Sequence, residues 1–169
     1  TATASADKAG TMRYRTGTEY VEVTGTELVT NGDFAADTDW TKASGWTISG
    51  GTANYDGVAS IGDIQQSISF VVGKLYKYTF TISSLTQGGV RVFIGNTVGI
   101  THSSNGTFTG YTTYASGSFL ILQARSSFVG SIDNVSVVEV TAEDASYADM
   151  CMQTGASTYE WVNIVRNTY

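Results

Sequence analysis

The run LYKYTFTIS at residues 75–83 places Tyr76, Tyr78, Phe80 and Ile82 on one side of an extended chain and Lys77, Thr79 and Thr81 on the other. Period-two alternation is the pattern of a strand with one buried face, because successive side chains point to opposite sides of a sheet. No window offers the competing helical period with caps. The runs ELVT, GWTIS, TANYDG, IQQSISF, GVRVFIG, TFTGYTTY, SFLILQAR and GSIDNVSVVEV fill the rest of residues 26–140. Gly, Asn, Ser and Asp turns separate them at intervals typical of sandwiches. Nine short strands suffice for two packed sheets, so the reading is all-β, a jelly-roll-like β-sandwich.

Composition agrees. The 169 residues are one domain's worth, and only 14% are charged against a usual share of roughly 25%. Small polar residues fill the deficit, with 25 Thr, 18 Ser and 19 Gly and no proline. Twenty aromatics give the chain enough surface to bury, which excludes an intrinsically disordered segment. The net charge of -6 leaves no electrostatic footprint for nucleic acid or an anionic membrane. The longest apolar runs, such as FLIL at 119–122, fall far short of the ~20 residues of a membrane span. A single cysteine, Cys151, excludes an internal disulfide and reads as a small buried hydrophobe in a chain assembled under reducing conditions.

The flanks differ from the centre. Residues 1–10, TATASADKAG, have no period and read as an extended arm or linker. TMRYRT and EYVEVT surround a Gly17-Thr18 turn in 11–25, while ADMCMQT and YEWVNIV surround the loop GAST in 141–169. With 26–140 removed, these segments read as one small antiparallel sheet into which the sandwich is inserted. Val21-Glu22-Val23-Thr24 on entry echoes Val138-Glu139-Val140-Thr141 on exit, as neighbouring entry and exit strands would. Three strands with few apolar residues cannot bury enough surface alone. Met12, Tyr14, Met150, Met152, Tyr159, Trp161 and Val165, at alternating positions, form either a subunit interface or an ordinary core.

Four features resemble the carbohydrate-binding-module-like jelly rolls of bacterial polysaccharide enzymes and phage virion proteins, over about 115 residues. They are LVTNGDF at 28–34, the Trp40 to Trp46 spacing ending in GWTISGG, the run at 64–83 and GSIDNVSVVEV at 130–140. GTMRYR at 10–15 and DMCMQTGASTYEWVNI at 149–164 resemble a short terminal module of phage tail fibres and other virion fibre proteins, commonly homotrimers. The resemblance implies a tail-fibre or head-fibre segment on the virion exterior, bound to copies of itself and to other virion proteins. Its inserted sandwich would attach to a glycan of the bacterial host. A particle-stabilising capsid or tail decoration, and an accessory module of a polysaccharide-degrading enzyme, are the rival implications. Modules of the resembled type often hold a structural calcium, and the matching positions are Asp33 in NGDF and Asp133 in SIDN. Against it, Ala35 stands where an acidic residue often follows, and both aspartates also suit turns or strand ends.

Catalytic parts are scarce. The lone histidine, His102, reads as a surface-loop residue, so a histidine metal site and a Ser-His-Asp triad both lack members. A glycosidase needs only two carboxylates about 5 to 10 Å apart. Asp37, Asp39, Asp56 and Asp63 nevertheless read as turn residues, and the chain as non-enzymatic. Trp40 and Trp46 read as core. Alternation supplies a better sugar surface. Val90, Val92 and Ile94 oppose Arg91 and Phe93, and Leu120, Leu122 and Ala124 oppose Phe119, Ile121, Gln123 and Arg125. With the aliphatic faces buried, Arg91, Phe93, Gln123 and Arg125, joined by Tyr111 or Tyr114, form the candidate ligand face. A subunit contact is the alternative for the same face.

Overall fold

The structure, a computed structural model, describes residues 3–15, 17–144 and 146–167, without the side chains of 15, 24, 25, 144, 146, 147 and 165–167. Val165 of the flank set therefore lies outside the described side chains. The strands are β1 Met12–Arg15, β2 Thr18–Glu27, β3 Thr41–Lys42, β4 Trp46–Ser49, β5 Thr52–Asp56, β6 Ile61–Ser67, β7 Leu75–Ile94, β8 Thr97–His102, β9 Gly106–Thr113, β10 Phe119–Asp144, β11 Ser146–Gln153 and β12 Tyr159–Asn167. The fold is all-β, with a large antiparallel sheet nearly closed into a sandwich and a separate three-stranded sheet. Two compact units result: residues 22–140, and residues 1–21 together with 141–169.

In the larger unit, β7 and β10 pair antiparallel along almost their whole length. The half of β10 from Phe119 to Arg125 lies between β6 and the end of β7, and its later half lies between β5 and the start of β7. The ladder shifts register between Arg125 and Val129, where Ser126 and Ser127 have φ of 54° and 53°. On the facing strand, Ser84 and Gly88 are also left-handed, at 53° and 70°. Such residues break regular pairing and turn the ribbon. Gly88 is required there twice over, because a Cβ would lie 2.3 Å from the Arg125 carbonyl oxygen. LYKYTFTIS and GVRVFIG, expected as separate strands, are thus two halves of one bent strand. ELVT is mostly loop, pairing falls instead on β2, and β8 is a strand that period-two reading passed over.

The inward residues are those of the alternation: Tyr76, Phe80 and Ile82, then Val90, Val92 and Ile94 on β7, against Leu120, Leu122, Ile132 and Val137 on β10. Each such burial contributes about 1.5–3 kcal/mol before entropy is counted. Trp40 and Trp46 are buried, the first on Phe34 at 5.2 Å and the second on Tyr55 at 4.9 Å between ring centroids. Trp40 Nε1 donates to the Asn31 carbonyl at 3.0 Å.

In the smaller unit β11 lies between β1 and β12. Met12 pairs with Met150, and Cys151 with Trp161, so the flank apolar set is divided. Met12, Met150 and Met152 share one face, whereas Trp161 and Tyr159 share the other with the buried Cys151. Arg13 donates from Nε to the buried Asp149 at 2.9 Å and stacks on Trp161 at 4.3 Å. Residues 3–10, read as an extended arm, instead form a short 3-10 turn at Ala6–Lys8 held to β11. Gly10 donates its N–H to the Cys151 carbonyl at 2.8 Å, and the Cys151 thiol approaches the Ser5 carbonyl.

Candidate functional site

With the aliphatic side of β7 and β10 filling the core, the opposite side must face outward, and rows form across the strands. In one row Arg91 stands opposite Gln123, and Gln123 opposite Asp63 of β6. In the next, Phe93 stands opposite Ile121, Ile121 opposite Gln65, and Gln65 opposite Thr41 of β3. Arg125 follows Gln123 by two residues and therefore shares its face.

Hydrogen bonds fix the polar row. Gln123 Nε2 donates to Asp63 Oδ1 at 2.9 Å, and Arg125 Nη1 donates to Gln123 Oε1 at 3.2 Å. A carboxylate only accepts, so Asp63 orients the Gln123 amide with its oxygen toward Arg125. Arg91 Nε donates to Thr101 Oγ1 of β8 at 3.2 Å, leaving both terminal nitrogens available. Beside this row Thr41, Lys42, Ala43, Asp63 and Gln65 line a shallow hollow of about 240 Å³. The arrangement offers an apolar strip next to oriented donors and acceptors.

Four of the five expected ligand residues, Arg91, Phe93, Gln123 and Arg125, are thus brought together. Tyr114 is not among them. It is buried against Phe70 and Tyr76, and its hydroxyl donates to the Gly117 carbonyl. The reason is parity: Phe108, Gly110, Thr112 and Tyr114 share the inward side of the run, while Thr109, Tyr111 and Thr113 share the outward side. Tyr111 is exposed opposite Lys77 and borders a small hollow of about 80 Å³ with Tyr78, Val98 and Gly99.

Asp63 is a strand residue rather than a turn residue, and sequence reasoning missed it as a member of this face. The signal was present in DIQQS, where Ile64 and Gln66 point inward and Asp63 and Gln65 outward. The other three aspartates do serve local structure. Asp37 pairs with Lys42, Asp39 accepts from Thr38, and Asp56 accepts from the Val58 N–H. His102 is no loop residue either. It ends β8, half-buried, with its ring 4.2 Å from that of Phe108 and 5.5 Å from that of Phe80. Burial among these rings lowers its pKa.

Of the positions considered for calcium, Asp33 Oδ1 accepts weakly from the Ala35 N–H, and both Asp133 oxygens accept from Asn134. Val135 N–H donates to the Gly32 carbonyl at 2.8 Å, so the two aspartates flank one backbone contact. Among the described residues no three His, Cys, Asp or Glu side chains gather as a metal cluster. No protein-family model matches the chain, and no curated protein matches it.

Proposed function

We propose that residues 22–140 form a non-catalytic glycan-binding module, carried by a segment of a phage virion fibre on the particle exterior, that attaches the particle to its bacterial host. The observation that carries this reading is the pairing of two rows on one outward sheet face. Phe93 and Ile121 form an apolar strip, and Arg91, Gln123, Arg125 and Asp63 form an oriented polar strip beside it. A pyranose has the matching amphipathic shape, with an apolar face that stacks on a ring and a rim of hydroxyls that takes forked hydrogen bonds. The resemblance of the flanks to fibre termini supports the virion context. The exposed Met12, Tyr14 and Met152 supply apolar surface for contact between copies in a trimer. Three copies would raise a weak sugar affinity through avidity.

The test is binding of the labelled, oligomeric chain to an array of bacterial surface glycans. Saturable binding that disappears in the Phe93→Ala, Gln123→Ala double variant, with melting unchanged, is the expected result. Absence of binding across the array would sink the glycan reading and favour a particle-stabilising role.

A further inference from the structure

The larger unit carries five basic side chains against nine acidic ones, a net charge of -4 over residues 22–140. Its three lysines are all ion-paired: Lys42 with Asp37, Lys74 with Glu139 at 3.0 Å and Lys77 with Glu22 at 3.0 Å. Its two arginines are not. Arg91 bonds to a threonine hydroxyl and Arg125 to an amide oxygen, and no carboxylate of the described residues pairs with either. In a unit with nine carboxylates and five basic side chains, the lysines are neutralised and the arginines are left without a carboxylate partner.

The two unpaired arginines also sit together. Arg91 faces Gln123 directly across the strands, and Arg125 is the next residue on that face, which makes the arginines diagonal neighbours about 7–8 Å apart at the backbone. The one carboxylate in these rows, Asp63, is engaged by Gln123, whose amide stands between it and the guanidinium groups. Asp63 is a diagonal neighbour of Arg125 as well, but Gln123 takes its Oδ1, so neither guanidinium is ion-paired and both are held in place by Thr101 and Gln123. Guanidinium groups with free forked donors match a planar two-oxygen anion better than a neutral hydroxyl.

We infer that this face is selective for acidic polysaccharide, with Arg91 and Arg125 receiving the carboxylate of a uronic acid while its ring lies over Phe93 and Ile121. The inference rests on the glycan-binding reading and names its ligand class. A sulfated sugar offers three tetrahedrally placed oxygens instead of a planar pair, and so serves as the distinguishing comparison.

The experiment uses uronic-acid-containing capsular polysaccharides, each in native and carboxyl-reduced form, with a sulfated neutral polysaccharide alongside, titrated against the intact chain. Native polymers should bind, and reduction of their carboxyls should weaken binding roughly tenfold or more, with affinity falling as salt is added. Arg91→Gln and Arg125→Gln should each cost roughly tenfold on native polymer. Arg91→Lys, which keeps the charge and loses the fork, should give an intermediate loss. Equal binding of native and reduced forms would overturn the acidic selectivity and leave the glycan-binding reading standing. Stronger binding to the sulfated polymer would overturn the carboxylate assignment, and binding unchanged in the folded Arg91→Gln, Arg125→Gln double variant would overturn this face. Failure of every polymer would overturn the inference, and the reading beneath it would fall with it only if the wider glycan array also showed no binding.

Discussion

Tyr78 on β7 lies flat against Gly110, its register partner on β9, so closely that a Cβ at position 110 would come 2.3 Å from the ring Cζ and Oη. The same phenol would lie 3.2 Å from a Cβ at Gly99 of β8, and burial pushes its pKa up. Glycine in a strand normally weakens it, but here the missing side chain is the space the tyrosine occupies. Gly110→Ala must displace the ring or part the strands, and should cost about 1–3 kcal/mol in urea unfolding. Thr109→Ala, next along the strand and outward, should stay within about 0.5 kcal/mol. Equal effects would contradict the packing.

Asn31 holds the loop between β2 and β3. Its side chain donates to the carbonyls of Ala36 at 2.7 Å and Thr38 at 3.0 Å, while its own carbonyl receives Trp40 Nε1. Its φ of 52° is left-handed, which asparagine tolerates better than alanine. Asn31→Ala loses two hydrogen bonds worth ~1 kcal/mol each and adds backbone strain of ~1–2 kcal/mol, for a total of about 3–4 kcal/mol. Asn31→Gly loses the bonds without the strain and should be less harmful. Thermal melts that ranked glycine below alanine would show that the conformation of residue 31 is unimportant.

In the smaller unit the carboxylate of Asp149 is 1% exposed, and Arg13 both pairs with it and stacks on Trp161. Removing Arg13 takes a cation away from a carboxylate that is almost fully buried, and truncating one member of a buried pair is costlier than the pair itself is stabilising. Arg13→Ala should therefore loosen this unit by roughly 3 kcal/mol, and Arg13→Lys should restore the charge but not the stacking. Trp161 is the one tryptophan of residues 1–21 and 141–169, so in a Trp40→Phe, Trp46→Phe background its fluorescence reports this unit alone. Unfolding of Trp161 unchanged in Arg13→Ala would refute the role.

Much of this was legible because strand alternation is a local property. Val90, Val92 and Ile94 against Arg91 and Phe93 required no knowledge of partners, and both faces fell as the pattern dictates. Tyr114 and Asp63 obey the same parity, and were misplaced by reading isolated residue types, an aromatic as a ligand and an aspartate as a turn. What the pattern could not carry was the bend. Ser126 and Ser127 are ordinary polar residues whose left-handed conformation comes from the corner that the β7–β10 ribbon turns, a tertiary demand with no local signature. Pairing of Gln123 with Asp63, 60 residues away, likewise needed the strand order.

His102 gives the chain a pH dependence whose sign follows from its surroundings. Its ring packs against Phe80 and Phe108, and burial there lowers its pKa below the ordinary 6.5. The folded state thus favours neutral imidazole, while the unfolded chain takes up the proton first as the pH falls. Stability is complete above the unfolded value of 6.5 and is lost as the pH drops through the depressed folded value. Carboxylates titrate mainly below about pH 5, which leaves a window from about pH 7 to 5 in which histidine dominates. The urea midpoint should decline modestly across that window, since the ring is only half-buried. His102→Phe, which keeps an aromatic between the two rings and cannot protonate, should flatten the decline. A variant whose midpoint fell as steeply as the parent's would assign the pH dependence to another group.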